Sequence, residues 1–131
     1  MKNPSVAQKS ASDLVKQAKG EIENLSPEKA SEELSSGSAV FIDVREPEEL
    51  KQGKIATAVN APRGMLEFYA DPSLSYYKPE FNKDKRIILY CASGGRSALA
   101  VQTLKNMGYH NVAHIDGGFK AWQAARLPIT Q

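Results

Sequence analysis

Three short, mostly apolar runs, each followed by a turn and a helical pattern, constrain the fold of this chain more than any other feature. The runs cover residues 39–44, 87–90 and 112–115. Apolar runs of this length are typical of strands that are buried on both faces of a parallel sheet. Because predicted strands and helices alternate along the chain, helices should cover both faces of the sheet. The sequence therefore predicts an α/β fold, a small three-layer sandwich with a mostly parallel central sheet.

Capping residues and helix breakers set the expected bounds of the helices. Ser26 followed by Pro27 is typical of a helix start, because serine accepts a hydrogen bond at the N-cap and proline suits the first turn. Glycines end several of the helical patterns. Helices are predicted from residue 27, over 47–52, over 98–107 and over 119–126, with a helical turn at 65–69 and a further short strand at 55–59.

The N-terminal part of the chain carries a weaker helical signal. Ser12 and Asp13 are candidate caps at the start of this segment. Apolar residues then recur at helical spacing, at Leu14, Ala18, Ile22 and Leu25. Gly20 interrupts this pattern. A chain of 131 residues is long enough for one hydrophobic core. We predict that residues 1–20 form an N-terminal extension, partly flexible or helical, and that residues 21–131 form a single domain.

Charge and cysteine content narrow the range of partners and compartments. The 17 basic and 15 acidic side chains nearly balance and form no basic stretch, which argues against a nucleic-acid partner. No segment approaches the ~20 apolar residues of a membrane span, so we expect no membrane association either. One cysteine and an N-terminus unlike a signal peptide predict a protein of a reducing compartment, the cytoplasm.

The cysteine lies on a predicted strand-to-helix turn. Cys91 follows the apolar run 87–90 and precedes Ala92, Ser93, Gly94, Gly95, Arg96 and Ser97. In such a turn backbone amides can point inward, and the N-terminus of the next helix favours a thiolate or a bound anion. Arg96 adds a cation that can bind a sulfonate through paired donors. Ser93 and Ser97 are candidate donors to that anion, and Ser97 is equally well placed as a helix cap.

A second group of polar residues follows the first predicted strand. Asp43, at the end of this strand, is expected to accept hydrogen bonds from the cysteine turn. Arg45 is expected to pair with Glu49, four residues further along the chain. Both histidines, His110 and His114, are interpreted as structural, because neither has partners at metal-ligand spacing. We therefore predict no metal site and no cofactor.

Four segments, in order along the chain, resemble the motifs of the rhodanese-like domain family. They are residues 41–50, residues 53–62, residues 89–97, and the pair 108–112 with 117–122, within a similarity that runs from about residue 22 to 128. Lys54 is a departure, since the family often carries histidine there. The resemblance implies a small α/β sandwich around a parallel sheet, which agrees with the fold expected from the apolar runs.

The resemblance also implies a function. Single-domain sulfurtransferases of this family move sulfane sulfur, and Cys91 would take it from thiosulfate or a related donor and become a persulfide. Cyanide, a small thiol or a cysteine of a partner protein would then accept the sulfur. Residues 92–97 would bind the donor, while Asp43, Arg45 and Glu49 would support the site. Because the chain has no second cysteine, the acceptor must come from another molecule.

Two other functions compete with sulfur transfer. Cysteine-type phosphatases and arsenate reductases carry five residues between cysteine and arginine, whereas four separate Cys91 from Arg96. The shorter loop makes a smaller cradle, which suits one sulfur atom better than a tetrahedral phosphate. A non-enzymatic persulfide carrier or interaction module would use the same residues as the enzyme, and it would differ only in its acceptor.

Overall fold

In the computed structural model, which describes residues 8–131, strands and helices alternate along most of the chain. The strands are β1 (Glu23–Leu25), β2 (Ala39–Asp43), β3 (Val59–Asn60), β4 (Arg86–Tyr90) and β5 (Val112–Ile115). The helices are α1 (Ala11–Lys19), α2 (Pro27–Ser36), α3 (Leu66–Tyr69), α4 (Gly95–Asn106) and α5 (Gly118–Ala124), with 3-10 helices at Pro47–Gln52 and Arg63–Met65.

The strands pair in parallel, in the order β1-β5-β4-β2-β3 across the sheet. Strand β4 therefore lies at the centre, between β5 and β2. The carboxyl ends of parallel strands meet at one edge of the sheet, which is where such folds bind ligands. Cys91 directly follows β4 and lies at the middle of this edge. The expected α/β fold with a parallel central sheet is confirmed.

Two hydrophobic cores lie on opposite faces of the sheet. Alternate residues of β4 belong to different cores: Ile87 and Leu89 to one, Ile88 and Tyr90 to the other. Helices α3 and α4 cover the first core, with Leu66, Val101 and Leu104, and helices α2 and α5 cover the second, with Ala30, Phe119 and Trp122. A strand packed on both faces needs apolar residues at every position, which explains the continuous apolar runs.

Helix α1 packs against α4. Ser10, rather than Ser12, caps it in a reciprocal pair of hydrogen bonds with Asp13, at 3.0 and 3.1 Å. The helical pattern does not continue to Leu25 as expected, because the chain turns after Lys19 and Leu25 lies in the edge strand β1, which sequence analysis missed. Residues 1–7 of the expected extension lie outside the described residues, and its boundary at residue 20 stays a prediction.

Other element bounds differ from the predicted ones for local reasons. Segment 55–59, expected as a strand, contains a turn at Thr57 with φ 69°, so only Val59–Asn60 pairs with β2. A left-handed residue interrupts the extended backbone that strand pairing requires. Helix α4 begins at Gly95 rather than at residue 98, because Gly94 occupies the N-cap with φ 103°.

Candidate active site

The thiol lies beneath a tight loop at the end of the central strand. Cys91 is 1% exposed and belongs to the core that α4 covers. Gly94 has φ 103°, a left-handed conformation that other residues adopt only with strain, and it turns the chain from the strand into α4. Residues 91–94 therefore fold closely around the sulfur atom.

Backbone amides at the start of α4 point at this sulfur. The Gly94 amide donates a hydrogen bond to Cys91 Sγ at 3.1 Å, and the Ser97 amide donates one at 3.4 Å. Both amides belong to the N-terminal end of α4, where the helix dipole favours negative charge. The arrangement can stabilise a thiolate, or a persulfide on the same atom, because the donors are already in place.

The N-terminus of α5 holds the same loop from the other side. The amides of Phe119 and Lys120 donate to the carbonyl oxygens of Cys91 and Ala92, at 2.8 and 3.0 Å. Gly118 approaches so closely that a Cβ atom there would lie 2.6 Å from the Cys91 carbonyl oxygen. A side chain at this position would displace the loop. The absence of a side chain at Gly118 therefore allows α5 to pack against the cysteine turn.

Arg96 lies beside the loop but is already paired. Its guanidinium donates two hydrogen bonds to the Glu49 carboxylate, at 2.7 and 3.0 Å. These bonds lower the pKa of Glu49 to about 2, so the pair is fully ionised at neutral pH. Arg96 also interacts electrostatically with Cys91. The arginine thus lies at the site as expected, with a partner, Glu49, that sequence analysis had assigned to Arg45.

Two expectations for Asp43 and Arg45 are wrong. Arg45 donates to the Asp43 carboxylate from Nε at 3.0 Å and from Nη2 at 2.7 Å, and it meets Glu49 only through the backbone carbonyl, at 3.5 Å. Helical spacing does not apply, because Arg45 precedes the 3-10 helix Pro47–Gln52. The Asp43 carboxylate accepts hydrogen bonds from Arg45 and none from residues 91–97. Both side chains are nearly fully buried and support the end of β2.

Ser97, His114 and Asn24 form a hydrogen-bonded chain behind the thiol. Cys91 Sγ lies 3.5 Å from Ser97 Oγ, which lies 2.7 Å from His114 Nδ1. His114 Nε2 lies 2.7 Å from Oδ1 of Asn24, which is in β1. Ser97 is the third residue of α4, so the alternative in which it caps the helix is wrong, while its donation to a bound anion stays a prediction.

Sequence analysis missed this chain because its members are far apart in sequence. Asn24 faces His114 only because β1 pairs with β5, in a register that aligns these two residues. His114 was interpreted as structural from its lack of metal-ligand spacing. The available signal was its position near the carboxyl end of a buried strand, the edge at which Cys91 also lies.

An open groove runs along the loop on the side of helix α1. Its volume is about 550 Å³, and it is lined by Ala11, Ser12, Val15, Lys16, Lys19, Ser93 and Gly95. Ser93 is exposed there, so its hydroxyl is accessible to a ligand. Lys19 pairs with Asp116 at 3.1 Å. The groove thus places two lysines, Lys16 and Lys19, on the same surface as Ser93 and Gly95 of the cysteine loop.

Within residues 8–131, no group of three or more His, Cys, Asp or Glu side chains is arranged to hold a metal ion. No helix in the same range is long and apolar enough to cross a membrane.

Comparisons with known proteins fit this site. The family model of the rhodanese-like domain matches residues 26–125. A sulfurtransferase of Allochromatium vinosum is 31% identical over 109 residues, which are 82% of this chain and 94% of that protein. A mitochondrial protein of Schizosaccharomyces pombe, provisionally named a thiosulfate sulfurtransferase, is 39% identical over 92 residues, 65% of this chain. The matched region spans only 63% of that longer protein.

A solved structure from Rhodopseudomonas palustris is similar over nearly the whole chain. That protein is described as one of unknown function and a possible tyrosine phosphatase, and it is 41% identical, with a TM-score of 0.89. The similarity covers 98% of this chain and 100% of that one, so the N-terminal helix is part of it. With the family model matching residues 26–125, most of the sequence, the chain belongs to the rhodanese-like domain family.

Proposed function

We propose that this protein is a sulfurtransferase that takes sulfane sulfur from thiosulfate or a related donor onto Cys91 and passes it to cyanide or a thiol. The observation that carries the proposal is the pair of amides, from Gly94 and Ser97, aimed at Sγ. Such donors favour negative charge on sulfur both as a thiolate and as a persulfide. Kinship with proteins named as sulfurtransferases supports the same chemistry.

The proposed reaction has two halves. The Cys91 thiolate attacks the outer sulfur of thiosulfate, a new sulfur–sulfur bond forms, and sulfite leaves with the electron pair of the bond that breaks. The product is a persulfide anion on Cys91. Cyanide or a thiolate then attacks the outer sulfur, takes it away and restores the Cys91 thiolate. The N-terminus of α4 faces the negative charge in both halves, so its donors need not rearrange.

Donor binding is proposed to involve residues 92–97 and the groove beside them. The loop backbone from Ala92 to Gly95 surrounds the sulfur, and Ser93 is exposed toward the groove. Arg96 is proposed to contact the sulfonate group of the donor with the part of its guanidinium that Glu49 leaves free. Since Glu49 balances much of its charge, Arg96 should orient the donor more than it attracts it from a distance.

The acceptor is proposed to be external, because the chain has one cysteine. Cyanide, a small thiol and a cysteine of a partner protein all meet this requirement. A persulfide carrier would use the same site and differ from an enzyme in turning over only with its partner. We keep the cytoplasm as the proposed compartment, while the S. pombe relative is mitochondrial.

Mass spectrometry of the intact protein tests the proposal. Thiosulfate treatment should add the mass of one sulfur atom, peptide mapping should locate it on Cys91, and cyanide should remove it. The Cys91→Ser variant, checked for native folding by circular dichroism, should gain no mass. Sulfur uptake by Cys91→Ser, or a wild-type protein that never takes up sulfur from thiosulfate or polysulfide, would contradict the proposal.

The description of the R. palustris neighbour makes phosphate-ester hydrolysis the second candidate. Burial of Cys91, which is 1% exposed, disfavours attack on a bulky phosphate ester. The four-residue spacing to Arg96 and the pairing of Arg96 with Glu49 point the same way. p-Nitrophenyl phosphate should therefore not be hydrolysed at a rate that depends on Cys91. Hydrolysis that disappears in Cys91→Ser would favour the phosphatase.

A further inference from the structure

The chain of residues behind the thiol has donor and acceptor roles that follow from its last member. The Asn24 side-chain amide donates to the carbonyl oxygens of Lys19 and Ile22, at 2.9 and 3.2 Å. This fixes the orientation of the amide, so Oδ1 is the atom that faces His114. Oδ1 is an acceptor only, and His114 Nε2 must therefore carry a hydrogen and donate it.

The remaining roles follow in sequence. Burial lowers the pKa of His114 to about 4, so its second nitrogen, Nδ1, is unprotonated and accepts the Ser97 hydroxyl hydrogen at 2.7 Å. The Ser97 oxygen then has a free lone pair on the side of Cys91, where Sγ lies 3.5 Å away. A thiol on Cys91 donates to that lone pair. Each hydrogen in the chain therefore points away from the sulfur and toward Asn24.

We propose that Ser97, His114 and Asn24 form a proton relay that receives the thiol proton of Cys91 and so produces the attacking thiolate. The thiol hydrogen passes to Ser97 Oγ while the Ser97 hydrogen passes to His114 Nδ1. The products are a thiolate, an unchanged serine hydroxyl and an imidazolium, so no proton is lost. His114 acts through Ser97 and is a positioning residue, and Asn24 sets its orientation. The inference rests on the proposed role of Cys91 as nucleophile.

The reversed chain satisfies every donor as well as the resting chain does. After the transfer, His114 Nδ1 donates to Ser97 Oγ, and the Ser97 hydroxyl donates to the sulfur beside the Gly94 and Ser97 amides. The thiolate therefore gains a third donor. Burial alone disfavours the imidazolium, but the negative thiolate of Cys91 lies only two hydrogen bonds away, through Ser97, and stabilises it. No described buried side-chain nitrogen or oxygen lacks a partner in the resting state.

Charged groups around the relay act on the same equilibrium. Asp116 favours the imidazolium and Lys19 disfavours it, and these two side chains pair with each other at 3.1 Å. Arg96 also lies within electrostatic reach of Cys91. A test must therefore change the relay without changing these three groups.

Asn24→Asp provides that test, because it acts at an exposed edge strand and leaves the buried His114 in place. A carboxylate at this position accepts from His114 Nε2 and makes the imidazole more basic. With an intact relay, the rate at which iodoacetamide alkylates Cys91 well below the midpoint of the pH profile, where the thiolate arises chiefly by proton transfer to His114, should rise up to roughly tenfold. An added negative charge acting directly on the thiol would lower that rate instead, so the sign separates the two effects.

Two further variants complete the experiment. Ser97→Ala removes the link between Cys91 and His114, so Asn24→Asp should not change the alkylation rate in the Ser97→Ala background. Asn111→Asp makes the same substitution at the opposite end of β5, beside Arg86, and should leave the profile unchanged. Native folding of each variant is checked by circular dichroism. An unchanged or lowered alkylation rate below the midpoint in Asn24→Asp, or a rise that persists without Ser97, would overturn the relay.

The outcome is independent of sulfur transfer, because alkylation needs no sulfur donor. A faster alkylation of Asn24→Asp below the midpoint, in a protein that takes up no sulfur from thiosulfate, would support the relay and contradict the proposed function. Sulfur uptake on Cys91 with no such rise in Asn24→Asp would do the reverse.

Discussion

At the scale of single residues, the surroundings of Arg96 have the largest effect on how strongly the site would bind an anionic sulfur donor. An arginine beside a reactive sulfur attracts anions, yet here two hydrogen bonds tie it to Glu49. Both side chains are partly exposed, so the pair contributes about 1 kcal/mol or less to stability. Its larger effect is on charge, because Glu49 cancels the cation that an anionic donor would otherwise meet.

Glu49→Gln should therefore improve the use of an anionic donor. Without the carboxylate, the Arg96 charge is no longer balanced, and the KM for thiosulfate should fall roughly threefold to tenfold, equivalent to about 1 kcal/mol. The measurement is the KM and kcat for thiosulfate with cyanide as acceptor, at low and high salt. Added salt should reduce the gain, because a freed surface charge is screened.

The double variant Glu49→Gln/Arg96→Ala is the matched control. If Arg96 contacts the donor, this variant should lose the gain and have a higher KM than the wild type. A KM that falls equally with and without Arg96 would assign the effect to some other consequence of losing Glu49. An unchanged KM in Glu49→Gln would remove Arg96 from donor binding.

At the scale of elements, two helix N-termini converge on one loop. Helix α4 presents amides to the sulfur, while α5 presents the amides of Phe119 and Lys120 to the carbonyl groups of the loop. Gly118 makes this approach possible, since it has φ 65° and no side chain to meet the Cys91 carbonyl. The position of α5 thus determines how the loop is held around the thiol.

Gly118→Ala should weaken both stability and reactivity. A Cβ atom would lie 2.6 Å from the Cys91 carbonyl oxygen and 2.7 Å from the Ala92 carbonyl carbon, so the loop must move. Gly37→Ala is the matched control, because Gly37 has nearly the same φ, 69°, and nothing within 4 Å of a Cβ atom. Gly37→Ala should cost about 1 kcal/mol from backbone strain alone and leave Cys91 unaffected.

Urea unfolding and the rate of sulfur uptake from thiosulfate measure the two effects. Gly118→Ala should cost at least about 2 kcal/mol more than Gly37→Ala, and its uptake rate should fall, since the amides no longer meet the sulfur. Equal losses of stability in the two variants, with equal uptake rates, would show that strain and not the loop contact explains the glycine.

At the scale of the whole molecule, the single buried cysteine would decide what can follow the proposed uptake of sulfur. Cys91 is nearly inaccessible, and no second thiol exists to take the sulfur within the chain. A persulfide formed here has no internal route of discharge. The domain would therefore hold sulfur until a small molecule or a partner protein collects it.

The persulfidated protein should be stable after the donor is removed. Its discharge rate should be proportional to the concentration of cyanide or thiol and should extrapolate to zero without acceptor, because the molecule has no resolving cysteine. Intact-mass measurements over time, with acceptor varied and donor removed by gel filtration, give the rate. Sulfur loss that continues at zero acceptor, in a protein that stays monomeric, would contradict this expectation.

Much of the fold follows from local patterns in the sequence. The apolar runs predicted β2, β4 and β5, since strands buried on both faces must be apolar throughout, and Ser26 with Pro27 predicted the start of α2. The edge strand β1 was not predicted, because two of its three residues are exposed and the segment contains no apolar run. The turn at Thr57 was missed as well, since nothing in that segment marks a left-handed residue.

The cysteine turn follows from the sequence alone, because the residues that bend the backbone around the thiol are neighbours in the chain. The pairing of distant side chains, Arg96 with Glu49 and Asn24 with His114, follows only from the tertiary structure. Those contacts depend on strand order and register, which bring together residues up to ninety positions apart. Spacing along a chain specifies local backbone geometry, whereas a side chain's partner depends on how distant elements pack.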